Sequence, residues 1–218
     1  MKPSHRAYDA LKRLLDIVFS LVLLVLASPL LLLVSVLVLI DVGPPVLFTQ
    51  RRPGRGGLPF TILKFRTMRK APGDVSDVAA VLTDAERLTR IGRALRATSL
   101  DELPQLWNVL VGDMSFIGPR PLLTEYLTRY NTDQARRHEV RPGITGWAQV
   151  NGRNAVDWPE RLAMDVYYVD NRSLLLDARV LARTAAALFG GRGVAAPNSA
   201  TMQPFDPDDA SRNHKEDQ

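Results

Sequence analysis

Hydrophobic positions are spread unevenly along this 218-residue chain. The longest apolar run covers residues 17–40, carries no charge, is bounded by Asp16 and Asp41, and is interrupted near its middle by Ser28-Pro29. At ~1.5 Å per residue a helix of this length can cross a ~30 Å hydrocarbon layer. Pro29 cannot donate to the carbonyl four residues earlier, so it bends a helix, and Ser28 can satisfy a backbone group that the proline frees. Three arrangements follow: a plain span, a signal peptide cut after Val25-Leu26-Ala27, or a bent helix that enters and leaves by one face. The signal peptide fits poorly, because the apolar run continues past Ala27 and Asp9 and Asp16 precede it. Charges separate the other two. Lys2, Arg6, Lys12 and Arg13 come before the run and Arg51, Arg52 and Arg55 after it. A span would leave one basic cluster outside, against the positive-inside tendency. The expected element is therefore a re-entrant helix broken at Ser28-Pro29.

Beyond it the periodicity changes. Residues 46–50 and 60–65 are short β-branched or aromatic runs around a basic turn, Arg51-Arg52-Pro53-Gly54-Arg55-Gly56-Gly57, which predicts a β-hairpin. Period-2 alternation puts Lys64 in line with Phe60 and Ile62, an unusual place for a merely solvated lysine. Residues 71–80 read as a mobile loop and 84–97 as a helix. A second helix is expected from near Asp101, since Pro104 is tolerated only in a first turn. Residues 141–153 hold three glycines and a tryptophan, as a binding loop does. Residues 157–171 and 178–189 read as helices, the latter carrying Arg179 and Arg183 and suited to a membrane surface. From Pro197 the chain is polar and is expected to be disordered. The elements together predict an α+β protein with a membrane helix over 1–43, a mostly helical domain with a small β-hairpin over 44–190, and a tail over 191–218.

Composition narrows the class. The chain is 46% apolar and 23% charged, hence globular, and has no cysteine, which excludes disulfides and thiolate metal sites. Residues 1–70 hold 11 Lys/Arg against 3 Asp/Glu, whereas the remainder holds 17 against 20. Cations concentrated around an apolar segment suit an anionic lipid surface. No basic module with stacking aromatics is present, so nucleic acid is not expected as a partner.

The candidate chemistry lies at Asp101-Glu102, between Arg96 and Arg120. Ser99-x-x-Glu102 also fits a capping box, in which case the acids only cap a helix. A helix N-terminus would keep Asp101 ionised, which suits a nucleophile, and a carboxylate can attack phosphorus to give an acyl phosphate. Glu102, with Asp101 beside it, could hold Mg²⁺, which binds carboxylate and phosphate oxygens together. Neutralising a diphosphate requires cations. The candidates are Lys64, Arg66, Arg96, Arg120, Arg141 and Arg153, with Arg120 stiffened between Pro119 and Pro121.

These residues occur in a specific order: Lys12-Arg13-x-x-Asp16, Ser28-Pro29, Lys64-Phe65-Arg66-Thr67-Met68, the block 99–121, the block 141–153, Asp165-Val166-Tyr167-Tyr168-Val169, Ser173 and Asp177. In that order, over about residues 11–190, the chain resembles the bacterial sugar transferases, the monotopic polyprenyl-phosphate phosphoglycosyl transferases. The likeness is to the short type, a catalytic domain with its own membrane helix. It implies a cytoplasmic catalytic domain on the bacterial inner membrane, with both ends of the re-entrant helix on the cytoplasmic side. It implies that Asp101 attacks the β-phosphate of a UDP-sugar and releases UMP, that Glu102 helps bind Mg²⁺, and that the phosphosugar passes to undecaprenyl phosphate in the first membrane step of glycoconjugate assembly. The family's phosphate and uridine contacts fall on Lys64, Arg96, Arg120 and Arg153, with Asp177 as a further active-site acid. Membrane lipids would surround the helix, and a homodimer is left open. Two rival readings remain at this point: a metal-dependent glycosyltransferase that leaves UDP, and a non-catalytic membrane-anchored scaffold.

Overall fold

A computed structural model describes residues 4–69, 84–152, 156–189 and Phe205. Helix α1, Ser4–Asp41, runs through Pro29. The Ser28 hydroxyl donates to the Val25 carbonyl at 2.7 Å, the carbonyl that loses its helical donor to Pro29. Ser20 and Ser35 bond back to Ile17 and Leu31 in the same way. The middle of α1 is bare: Leu21, Val25, Leu26, Leu32 and Leu33 are all exposed. Among the described residues α1 is the one helix long and apolar enough to cross a membrane.

Both ends of α1, in contrast, pack on the rest of the chain. Near its start Arg13 donates to the carbonyls of Val109 and Leu110 at 2.6 and 2.8 Å. These belong to the last turn of α4, Gln105–Val111, whose free carbonyls attract a cation. Asp16 accepts from the Ser115 hydroxyl and the Phe116 amide. Near its end Val34 and Val38 are buried against Phe65 and Leu95.

The hairpin forms as expected, from β1, Leu47–Pro53, and β2, Pro59–Phe65, in antiparallel register from Leu47↔Phe65 to Pro53↔Pro59. Gly56 and Gly57, at φ 67° and 75°, make the turn that side chains disfavour. The helix expected over 84–97 is two: α2, Asp84–Arg87, and α3, Arg90–Thr98. They separate because Leu88 bridges to Met68 and Thr89 caps α3, accepting from Gly92 N at 2.9 Å. A parallel pair, β3, Ser115–Ile117, with β4, Gly143–Thr145, occupies part of the expected binding loop. Short helices α5, Thr132–Ala135, and α6, Trp147–Asn151, precede α7, Trp158–Asn171, which Asp157 caps, and α8, Leu174–Phe189, which starts four residues earlier than its apolar pattern predicts. The expected mobile loop lies outside the described residues. So does the tail, apart from Phe205. That ring is buried among Leu122, Tyr126, Trp158 and Leu162, so the tail is docked at that point, contrary to the expectation of disorder.

Candidate active site

Asp101 and Glu102 sit in a 3₁₀ turn, Leu100–Glu102, between α3 and α4. Ser99 enters the turn at φ 58°, the left-handed region that β-carbons disfavour. In that conformation Ser99 closes α3 through its amide, and its side chain makes no cap bond, so the anticipated capping box with Glu102 does not form. Pro104 then occupies the N-cap of α4, where its missing N–H costs nothing.

Helix α4 aligns the acids with the hairpin. The Asn108 side chain accepts from Leu63 N at 3.1 Å and donates to Thr61 O at 2.8 Å. This clamp fixes β2, and Lys64 Nζ reaches Glu102 Oε1 at 2.6 Å. Arg120 Nη2 donates to the same oxygen at 2.6 Å, and Nη1 to Oε2 at 3.5 Å. Burial pushes the Glu102 carboxyl up, but the charges and hydrogen bonds of Arg120 and then Lys64 outweigh it and hold the group at about 2. Lys64 is pushed down, first by burial and then by Arg120, against the pull of Glu102.

Asp101 is different. Its carboxylate makes no hydrogen bond or ion pair among the described residues. Its carboxyl is pushed up, by burial first and then by the Glu102 charge, with Lys64, Arg96 and Arg120 countering in part. The expectation that a helix N-terminus keeps it low is corrected: the turn is short, and desolvation and the neighbouring charge win. Arg96 donates to the buried Thr67 hydroxyl at 3.0 Å, beside the pair.

A groove of about 410 Å³ opens next to Glu102 and Arg120, walled by Leu106, Phe116, Gln149 and Arg161. The structure thus gathers Asp101, Glu102, Lys64, Arg96 and Arg120. It places three other candidates elsewhere. Arg66 donates to Pro44 O, where α1 meets β1. Arg141 donates to Gly112 O, at the end of α4. Asp177 accepts from Tyr8 at 2.7 Å, Lys12 at 2.8 Å and Tyr168 at 2.8 Å, at the base of α1. Arg153 lies outside the described residues.

Sequence reasoning missed Arg161 in the groove wall and Arg137, which pairs with the motif residue Asp165 behind Arg120. The signal was helical spacing: Trp158, Arg161, Leu162, Asp165 and Val169 share a face of α7 that is otherwise core. No cluster of three or more His, Cys, Asp or Glu suited to a metal occurs among the described residues. Two adjacent carboxylates still fit Mg²⁺, which takes one or two protein oxygens and completes its shell with phosphate and water. Lys64 and Arg120 share Glu102 Oε1, while Oε2 has only the 3.5 Å contact with Arg120, so Oε2 is the oxygen that such binding would use.

A domain packed on a bare apolar helix, with Glu102 gripped by two cations and Asp101 beside it near a groove, fits a membrane-associated enzyme. Its sequence relationships agree. The model of the family described as bacterial sugar transferase matches residues 7–191. The chain is 48% identical over 198 residues to the uncharacterized sugar transferase EpsL of Bacillus subtilis, covering 89% of this chain and 95% of that protein. It is 45% identical over 191 residues to the UDP-glucose:undecaprenyl-phosphate glucose-1-phosphate transferase of Caulobacter vibrioides, covering 84% and 71%. It is 42% identical over 200 residues to the undecaprenyl-phosphate galactose phosphotransferase of Salmonella typhimurium, covering 85% of this chain and 42% of that longer protein. The chain belongs to the bacterial sugar transferase family.

Proposed function

We propose that this enzyme transfers a sugar 1-phosphate from a UDP-sugar to undecaprenyl phosphate, releasing UMP, at the cytoplasmic face of the bacterial inner membrane. The observation that carries the reading is the contrast within the acid pair: Glu102 is gripped by two cations, while the Asp101 carboxylate beside it makes no bond among the described residues. A carboxylate with no partner to desert is suited to attack. In the first step an Asp101 oxygen bonds to the β-phosphorus, the bond from that phosphorus to the bridging oxygen breaks, and UMP leaves with the electron pair. In the second, an oxygen of the lipid phosphate attacks the same phosphorus and Asp101 is restored. No proton is needed in either displacement. Lys64 and Arg120 are close enough to trade Glu102 for phosphate oxygens, with Arg96 next to them and Arg153 assigned by resemblance. Mg²⁺ held by Glu102, with Asp101 adjacent, would add charge neutralisation as UMP departs. Relatives named for glucose and galactose transfer to undecaprenyl phosphate support the substrates. The product would open glycoconjugate assembly in the membrane.

Incubating the enzyme with UDP-sugar and Mg²⁺ alone tests the covalent step. The expected result is at most one equivalent of UMP, with a phosphosugar adduct on a peptide containing Asp101. UMP that appears only with undecaprenyl phosphate, without an adduct, means direct transfer in a ternary complex. Release of UDP instead means ordinary glycosyl transfer.

The re-entrant reading of α1 draws support from its two docking points. Arg13 and Val38 are 25 residues apart, roughly 37 Å along a straight helix. Their partners are close: Arg13 bonds Val109, Asn108 next to it clamps Leu63, and Val38 packs on Phe65, two residues further along β2. On this reading a bend would bring both ends of α1 to one domain on one side of the bilayer, whereas a span would carry one end away. Cysteines introduced singly at His5 and Arg55 report the sidedness, since the native chain has none. Both should resist an impermeant reagent in intact cells, and labelling of either from outside sinks the re-entrant model.

A further inference from the structure

We propose that the buried pair Arg137–Asp165 is a positioning element for Arg120, fixing at the backbone the cation that meets the donor phosphates. The inference rests on the assignment of Arg120 to the substrate.

Arg120 lies in a stretch that is poorly able to brace itself, because Pro119 and Pro121 have no N–H. The residues just before it are tied to β4: Gly118 N donates to Thr145 O at 2.9 Å and Gly143 N to Pro119 O at 3.0 Å. The carbonyl of Arg120 itself is held by a side chain, accepting from Arg137 Nη2 at 2.7 Å. Arg137 also sets Nε and Nη2 on Asp165 Oδ2 at 3.0 and 2.7 Å, and Nη1 on the Tyr130 hydroxyl at 3.3 Å. The side chains of the pair are 1% and 4% exposed.

The Arg120 side chain, in contrast, is 35% exposed and leans on Glu102. That contact is unsuited to position it during turnover, since phosphate oxygens recruit the same guanidinium. The backbone anchor survives the exchange. Asp165 neutralises Arg137 and fixes its plane, so that a third N–H faces the carbonyl. A guanidinium fork does this and an ammonium does not.

The test is a double-mutant cycle on the enzyme in lipid nanodiscs, read as UMP release at varied UDP-sugar. Replacing the pair together, Arg137→Met with Asp165→Leu, keeps the site packed, because apolar substitution of a whole buried ion pair is often neutral to stability. Turnover per UDP-sugar (kcat/KM) should fall by about 10²-fold, as for other misplacements of a reacting group, with KM for undecaprenyl phosphate unchanged. On an Arg120→Met background the same replacement should cost less than about 3-fold, because the two act as one unit. A second full loss there means that the pair merely supports the fold, and the proposal falls. Arg137→Lys alone provides a variant that keeps the buried charge; it should not restore turnover, and restoration also overturns the proposal. Wild-type turnover by Arg120→Met alone would remove Arg120 from the substrate, a failure of the functional reading that is distinct from failure of the cycle.

Discussion

Asp101 and Asp177 are the same residue type at nearly equal depth, 8% and 6% exposed, and resemblance assigns both to the active site. Their surroundings differ completely. Asp177 has both oxygens engaged, by Tyr8 and Lys12 on one side and Tyr168 on the other. It ties α1 to α7 and α8, with the Tyr168 hydroxyl also within 3.2 Å of Ile117 O. Asp101 feels Lys64, Arg96 and Arg120 but makes no bond among the described residues, and its conjugate acid is favoured by burial and by Glu102. Burial alone therefore does not identify a reactive carboxylate. On the proposed function the number of donors separates the two aspartates: Asp177 holds three, as an anchor would, and Asp101 holds none among the described residues.

The sharpest way to break this comparison is to neutralise each acid in turn. Asp101→Asn should lower turnover by about 10⁴-fold or more, the scale seen when a nucleophile is removed. Its thermal stability should be unchanged or higher, because a carboxyl pushed up on folding makes the ionised form costly to the fold at neutral pH. A clear loss of stability in Asp101→Asn, with turnover retained, would reverse the roles of the two acids. Asp177→Asn should do the opposite. It strands Lys12, 14% exposed, and should cost roughly 4 kcal/mol in unfolding, the range for breaking one side of a buried pair. Any turnover loss should track the unfolded fraction. If Asp177→Asn stays folded yet is inactive, Asp177 belongs to the chemistry after all and the comparison fails.

Much of this contrast was legible in the sequence, though not all of it. The apolar run, its proline, the hairpin and the in-line Lys64 could be read because each depends on local pattern: length, period 2, or a missing N–H. The grip of Lys64 and Arg120 on Glu102 was legible only as a density of cations, since pairing across 18 and 38 residues leaves no periodic trace. Strands β3 and β4, of three residues each, are too short for alternation to show. Arg141 was drawn to the site by its glycine-rich neighbours, whereas the C-terminus of α4 claims it. Phe205 was lost in a polar tail, and only the aromatic cup of Tyr126, Tyr130 and Trp158 explains its burial.

The smallest expected effect lies within the acid pair, where two neighbouring carboxylates are pushed in opposite directions. Glu102 sits at about 2 in the fold against an ordinary 4.5, so its ionised form is favoured on folding. The stability it contributes is complete above about pH 4.5 and is lost as pH falls through about 2. Asp101 is pushed up instead, so acidification relieves a cost there and would blur the measurement. An Asp101→Asn background removes that second titration. Comparing Asp101→Asn with Asp101→Asn/Glu102→Gln by chemical unfolding, the gap between them should narrow by roughly 3 kcal/mol from pH 6 to pH 2, the worth of a shift of that size. Carboxylates common to both proteins cancel in the difference. Adding Lys64→Met should shrink the pH-dependent part, because one of the two cations that hold the charge is gone. Parallel stability curves would mean that Lys64 and Arg120 do not grip Glu102 in solution. The distinction between a held acid and an unbonded one would then rest on Asp177 and Asp101 alone.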